Sequence, residues 1–213
     1  MPQHAAIIKQ TAAESGIPAD SAQRIVSQAR AHFFAHGFRG VTMDELAAEL
    51  GMSKKTLYLH FPSKRALLEA VMVDKLATVE AGLNDVLGGA AGDFPRRLQA
   101  MLAFMREQTA EIQPVFVRDV RREAPELFAA VQEGRRKVIQ GAFGKLLQEG
   151  RKAGRIRRDI PPEIMVEMLI GAVDAIVNPA RLEELGLSPR SGFSHIISIF
   201  MEGVLVRPPP AKS

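Results

Sequence analysis

The chain has 213 residues, of which 46% are hydrophobic and 24% charged, a composition that allows a buried helical core and a soluble surface. It contains no cysteine, which excludes disulfides, thiolate metal sites and a cysteine nucleophile. The formal net charge is +4, and residues 20–65 alone carry seven Lys or Arg against four Asp or Glu. This basic N-terminal segment favours a polyanionic partner, although a solvated face of mixed charge fits the same count.

Residues 1–19 have weak periodicity, and we expect them to form a flexible N-terminal arm. With one Lys and no Arg, the arm is predicted to be a passive tail rather than a minor-groove contact. It lacks the long apolar run of a signal peptide. The most apolar stretch, residues 164–177, contains two acidic residues and is too short to span a bilayer. We therefore expect a cytoplasmic protein with no membrane partner.

The first predicted helix covers residues 21–36. Asp20 is its expected N-terminal cap, and Gly37 is its expected left-handed stop. Ile25 and Phe33 recur at helical spacing, which indicates one buried face.

Two short predicted helices follow, joined by a glycine. Residues 42–45, Thr-Met-Asp-Glu, match a capping box, and this second helix ends at Gly51. Ser53 caps the third helix, in which Leu57 and Phe61 lie four residues apart on one buried face. Two short helices joined by a tight turn form a helix-turn-helix, in which the second helix enters the major groove of DNA.

A fourth helix is predicted after the cap Ser63, and a glycine-rich break follows at residues 88–92. Further helices are predicted at residues 95–112, 115–122, 125–153, 161–176 and 191–206. No β-alternation of any length occurs, so the predicted fold is all-α.

The third predicted helix leaves polar side chains outside its buried stripe. Lys54, Lys55 and Thr56 point outward or toward its N-terminus, and Tyr58 lies beside the stripe, where exposure is favoured over a core position. Lysine pairs with guanine O6 and N7, but two lysines bind phosphate at least as often as they read bases. The two roles stay open on the residues alone.

Residues 41–68, VTMDELAAELGMSKKTLYLHFPSKRALL, resemble the DNA-binding signature of the TetR/AcrR family of transcriptional regulators. The preceding AHFFAHGFRGVT fits the same family, whereas beyond about residue 75 only helix layout and length agree. The resemblance implies a regulator rather than an enzyme, with no cofactor and no metal. It also implies a homodimer on a palindromic double-stranded DNA operator, usually a repressor, which an unknown small-molecule effector releases.

The residues and the resemblance together predict four parts of the chain. These are the arm at residues 1–19, a three-helix helix-turn-helix DNA-binding domain at 20–66, a larger C-terminal helical ligand-binding and dimerisation domain at 67–206, and a disordered tail at 207–213. The predicted DNA-binding residues are Thr42, Ser53, Lys54, Lys55, Thr56, Tyr58, His60 and Lys64. Leu59 is left out, because many relatives have an aromatic residue or His there. An ordinary exposed position is the alternative for His60.

The C-terminal half is rich in Met and Phe, which indicates either an adaptable apolar pocket or plain core. The candidate pocket residues are Met101, Phe104, Met105, Phe116, Phe128, Phe143 and Met168. Two later apolar stripes at helical spacing either complete the monomer core or form the dimer interface that the family resemblance adds. The candidate interface residues are Met165, Leu169, Ala172, Ile176, Phe193, Ile196, Ile197, Phe200 and Val204.

Signals for catalysis are weak. His32 and His36 lie four residues apart, but the H-E-x-x-H pattern is absent, so a surface pair is favoured over a metal site. A helical small-molecule carrier is the alternative function, and it leaves the basic helix-turn-helix unexplained.

Overall fold

The computed structural model describes residues 19–89 and 94–205. Its helices are α1 Ala19–Gly40, α2 Met43–Glu49, α3 Lys54–His60, α4 Lys64–Gly88, α5 Phe94–Ala110, α6 Pro114–Glu123, α7 Pro125–Lys152, α8 Pro162–Ile176, α9 Pro179–Leu185 and α10 Pro189–Val204. In these ranges β-pairing is limited to one isolated antiparallel bridge between Ile156 and Leu205. The predicted all-α fold is confirmed. The predicted arm, the tail and part of the glycine-rich break lie outside the described residues.

Helix α1 is interrupted at one glycine. Gly37 has φ +83° and ψ 161°, and helical geometry resumes as far as Gly40. The positive φ expected at this glycine is confirmed, but its ψ lies outside the left-handed helical region, and a short helical segment follows the kink at the predicted stop.

Helix α9 has no counterpart among the predicted elements. The Asn178 side chain accepts a hydrogen bond from Arg181 N at 3.1 Å, and Pro179 occupies the first turn. Gly186 ends the helix with φ +65°. Proline just inside the start and glycine just past the end are ordinary helix signals, which this seven-residue segment carries without a long apolar repeat.

Packing divides the chain into two compact units. The first runs to Thr78 and also includes Glu111–Gln132, while the second comprises Val79–Ala110 and the residues from Glu133 onward. The core of the first unit contains Phe116 and Val120 of α6 together with the helix-turn-helix core. Helix α6 therefore packs with the N-terminal helices, although the sequence-based division places it in the C-terminal domain.

The second unit has its own core, formed by α5, α7, α8 and α10 with the end of α4. Its fully buried residues include Leu98, Met101, Phe143 and Leu146. Across the described ranges, no helix has the length and apolarity needed to cross a membrane.

Candidate nucleic-acid interface

The start of α2 is held by reciprocal hydrogen bonds. Glu45 N donates to Thr42 Oγ1 at 3.2 Å, and Thr42 N donates to Glu45 Oε2 at 2.8 Å. Hydrogen bonds from the Thr42 backbone and hydroxyl lower the pKa of the Glu45 carboxyl. The predicted capping box is confirmed, and it leaves the Thr42 side chain exposed.

A tight turn joins α2 to α3. Gly51 has φ +65°, and Met52 N donates to Ala47 O at 3.0 Å. The Ser53 hydroxyl then accepts from Thr56 N at 3.0 Å and caps α3. Because a left-handed residue between the helices favours glycine, Gly51 fixes the angle at which α3 leaves α2.

Helix α3 separates a buried stripe from an exposed face. Leu57 is fully buried, and Phe61 just beyond the helix is buried as well. Lys55, Tyr58 and Leu59 point away from this stripe, with 40% of Tyr58 and 60% of Leu59 exposed. We call these three residues the reader face. The exposure expected for Tyr58 is confirmed.

Leu59 is the member of the reader face that the sequence-based site omitted. The family resemblance predicts an aromatic residue or His at this position, so the sequence-based site does not include the leucine. Helical spacing is the signal that identifies it, because Leu59 lies four residues after Lys55 and off the Leu57 stripe.

Lys54 is engaged within the chain. Its ammonium donates to the Asp44 carboxylate at 2.8 Å, and this hydrogen bond raises the pKa of Lys54. The side chains of both residues are more than half exposed, so the pair lies at the surface. Lys55 differs, since no ion pair of Lys55 occurs among the described residues.

His60 is buried, whereas both readings of the sequence took it to be exposed. Only 3% of the residue is accessible, and its ring stacks on Phe61 with centroids 6.4 Å apart. Burial lowers the pKa of His60. The ring follows Leu57 by three residues, which places it at the edge of the buried stripe.

Lys64 begins α4 and is half-buried. Its ammonium lies 4.5 Å from the Phe38 ring centroid and donates a long hydrogen bond to Arg39 O at 3.5 Å. Burial lowers the pKa of Lys64, although neighbouring carboxylates oppose the shift. Lys64 and Thr42 thus lie near the two ends of the connection from α1 to α2.

The candidate pocket residues do not form one cluster. Phe116 and Phe128 pack in the first unit, whereas Met101, Met105 and Phe143 belong to the core of the second. Phe104 packs against that second core, and Met168 is 65% exposed. The set is therefore divided between the two units, because composition does not tell which apolar faces meet. A groove of about 330 Å³ instead lies between α5 and α10.

Most of the candidate dimer residues complete the core of their own chain. Met165, Leu169, Phe193, Ile196 and Val204 are buried there, and Ala172, Ile176, Ile197 and Phe200 pack against that core. The exposed apolar residues on α8 and α10 are Ile164, Met168 and Ile199. Both helices have apolar residues on two faces, and the more regular stripe, which contains the predicted residues, faces the core of its own chain.

His32 and His36 have ring centroids 5.9 Å apart, but His32 Nε2 lies 2.5 Å from the Glu49 carboxylate. Among the described residues, no group of three or more His, Asp or Glu side chains is arranged to hold a metal ion.

Comparisons with known proteins agree with this geometry. A model of bacterial regulatory proteins of the tetR family matches residues 25–71, from α1 into α4. The HTH-type transcriptional repressor DhaR of Mycobacterium sp. strain GP1 is 23% identical over 186 residues, covering 86% of this chain and 91% of DhaR. The HTH-type transcriptional repressor AcnR of Corynebacterium efficiens is 28% identical over 166 residues, covering 76% of this chain and 82% of AcnR.

A solved structure shares the whole fold. The reduced form of NemR from E. coli superposes with a TM-score of 0.69 at 15% identity, covering 89% of this chain and 99% of NemR. The curated relatives are transcriptional regulators and not enzymes. With its capped helix-turn-helix and the family match over that segment, this chain is a DNA-binding transcriptional regulator of the TetR/AcrR family.

Proposed function

We propose that this regulator is a cytoplasmic repressor that binds a palindromic operator as a homodimer and releases it when a small apolar molecule binds the C-terminal domain. The reader face is the observation that carries the proposal, because Lys55, Tyr58 and Leu59 project from a helix anchored on its opposite side. An α-helix fits the major groove of B-DNA, where base edges are distinguishable.

Phosphate contacts flank the reader face in this proposal. Thr42 and Lys64 supply them from the starts of α2 and α4, and Ser53, Thr56 and Lys54 supply polar groups around the start of α3. Lys54 leaves Asp44 to do so, because surface ion pairs are weak. His60, the last residue of α3, supports the site from the buried side of that helix.

The homodimer uses the exposed apolar residues Ile164, Met168 and Ile199 of α8 and α10. Ile199 is 75% exposed, which is unfavourable for a large aliphatic side chain in water. A two-fold interface brings the same patch from both subunits together. Two reader helices about 34–36 Å apart then meet successive major grooves on one side of the DNA.

The effector site in this proposal is the groove between α5 and α10. Leu102, Phe193 and Met201 give it an apolar lining, while Gln99 and Arg106 add polar groups. Its size, about 330 Å³, suits a small molecule. A ligand that favours a subunit arrangement with the wrong reader spacing weakens DNA binding by its differential affinity.

The test is selection of DNA duplexes by the full-length protein from a random pool, followed by anisotropy titrations across salt concentrations. We expect a palindromic consensus and salt-sensitive affinity. Lys64→Ala is expected to weaken binding to all duplexes and to flatten the salt slope by about 1, whereas the exposed control Lys145→Ala leaves both unchanged. Failure of the selection to enrich any sequence would overturn the proposal. An apolar ligand that binds without changing DNA affinity would favour a carrier.

A further inference from the structure

Helix α6 docks on the last turns of α1 within the first unit. Gln113 N, just before α6, donates to Phe34 O at 3.1 Å. The rings of Phe34 and Phe116 lie with centroids 4.8 Å apart, and both residues are buried. This apolar contact fixes where the next residues of α6 lie, including Asp119 one turn further on.

Asp119 is 7% exposed and binds the last turn of α1, which together with Val41 and Thr42 forms the connection to α2. Its Oδ2 accepts a hydrogen bond from Arg39 N at 2.9 Å. Gly37 makes room for it, because a Cβ at Gly37 would lie 2.7 Å from the same oxygen and 2.9 Å from Val115 Cγ2. A buried carboxylate is costly unless it is hydrogen-bonded, and the Arg39 amide supplies such a bond.

The same connection is held from its other side by Lys64. The Lys64 ammonium contacts the Phe38 ring and donates to Arg39 O. The negative charge of Asp119 acts favourably on this ammonium. The peptide groups of one residue, Arg39, are thus bound by α6 through the N–H and by α4 through the carbonyl.

We propose that Asp119 is a positioning residue for DNA binding. By holding the Arg39 N–H, it fixes the α1–α2 connection and, through it, the phosphate contacts of Lys64 and Thr42. This inference rests on the proposed phosphate role of Lys64. The negative charge of Asp119 itself disfavours DNA, so loss of the charge and loss of the hydrogen-bond acceptor have opposite expected effects.

The experiment measures affinity of the full-length protein for a selected duplex from about 50 to 200 mM salt. Asp119→Asn keeps an oxygen that accepts from Arg39 N, and we expect affinity equal to or above wild type. Asp119→Ala removes the acceptor, and we expect binding about tenfold weaker with a salt slope lower by about 1. Asp85→Asn removes an exposed carboxylate near the far end of α4, is the matched control for charge and is expected to match wild type.

A double mutant tests whether Asp119 acts through Lys64. The loss from Asp119→Ala should be largely absent in a Lys64→Ala background, because neighbouring effects on one contact do not add. Asp119→Leu keeps the branched shape without an acceptor and replaces Asp119→Ala if circular dichroism shows that the alanine variant does not fold.

Equal affinity of wild type and the folded Asp119→Ala or Asp119→Leu variant overturns the inference. So does an Asp119→Asn variant as weak as the variants without an acceptor, or additivity in the double mutant. An unchanged salt slope in Lys64→Ala alone counts against the proposed phosphate contact, and this result is read from a variant in which Asp119 is intact.

Discussion

The Lys54 ammonium donates to the Asp44 carboxylate at 2.8 Å, so the first residue of α3 is tied to the first turn of α2. The pair stabilises the angle between the two helices. It also occupies the Lys54 ammonium, which would otherwise be available to anions outside the chain. DNA phosphate and Asp44 therefore compete for the same ammonium.

Asp44→Asn is expected to free Lys54 for DNA. Because one more cation becomes available to phosphate, affinity for a random duplex at low salt should rise several-fold and the salt slope should steepen by about 1. Anisotropy titrations across salt measure both. Asp85→Asn removes an exposed carboxylate from α4 and controls for net charge. Equal affinities and slopes for the two variants would show that Asp44 does not compete with DNA phosphate for Lys54.

Leu59 is expected to contact the C5-methyl group of a thymine in each half-site, since exposed apolar side chains in the major groove meet this group. Replacing that thymine by deoxyuridine removes only the methyl. We expect about fourfold weaker binding per half-site, as a buried methyl contributes about 0.8 kcal/mol. Replacing each thymine of the selected duplex by deoxyuridine in turn identifies the position.

In Leu59→Ala the thymine and uracil duplexes should bind with equal affinity, whereas Tyr58→Phe should keep the difference. A preference that survives in Leu59→Ala assigns the methyl contact to another residue.

Ile199→Lys is expected to convert the protein from dimer to monomer without loss of helicity. The introduced charge would be buried against its symmetry mate, which is strongly unfavourable, while in the monomer it faces water. Light scattering after gel filtration measures the mass. Leu185→Lys changes a comparable exposed aliphatic residue on α9 and should remain dimeric. A dimeric Ile199→Lys variant would place the interface elsewhere.

His60 gives a dependence of stability on pH. Burial lowers its pKa below the ordinary value of 6.5, so the unfolded chain binds the proton more readily than the folded chain. The neutral, buried His60 contributes fully to the free energy of unfolding above pH 6.5. This contribution is lost as the pH drops from 6.5 toward the pKa of the folded state. We expect the wild-type Tm to fall more between about pH 7.5 and 5.5 than that of His60→Gln. Parallel curves for the two proteins would contradict this. His195→Gln, which removes an exposed imidazole on α10, should follow wild type.

The helix-turn-helix was predictable because its information is local. Thr42, Gly51, Ser53 and Leu57 each act within a few residues of the chain, through a cap, a turn or a helical period. The structure confirms the caps, the turn and the exposed Tyr58. His60 escaped prediction because one helical position at the edge of a stripe is buried or exposed according to what packs beneath it.

Apart from α9, the helices in the second half of the chain were predictable in position, but which of their faces are buried was not. Ile196 and Ile199 are both isoleucines on α10, yet one is buried and the other is 75% exposed. Only the packing of distant helices separates them. The same holds for Asp119, whose role depends on Arg39, eighty positions away.

The first unit is assembled from two separate stretches of the chain, and this limits how its specificity can be transplanted. A hybrid regulator joined at residue 66 would carry the reader face but leave Phe34 without Phe116 and the Arg39 amide without Asp119. A working exchange has to move Glu111–Gln132 together with the reading helices. Recombination at a single crossover therefore cannot transfer the whole first unit from one regulator to another. Substitutions within α3 are the simpler route to a new operator preference.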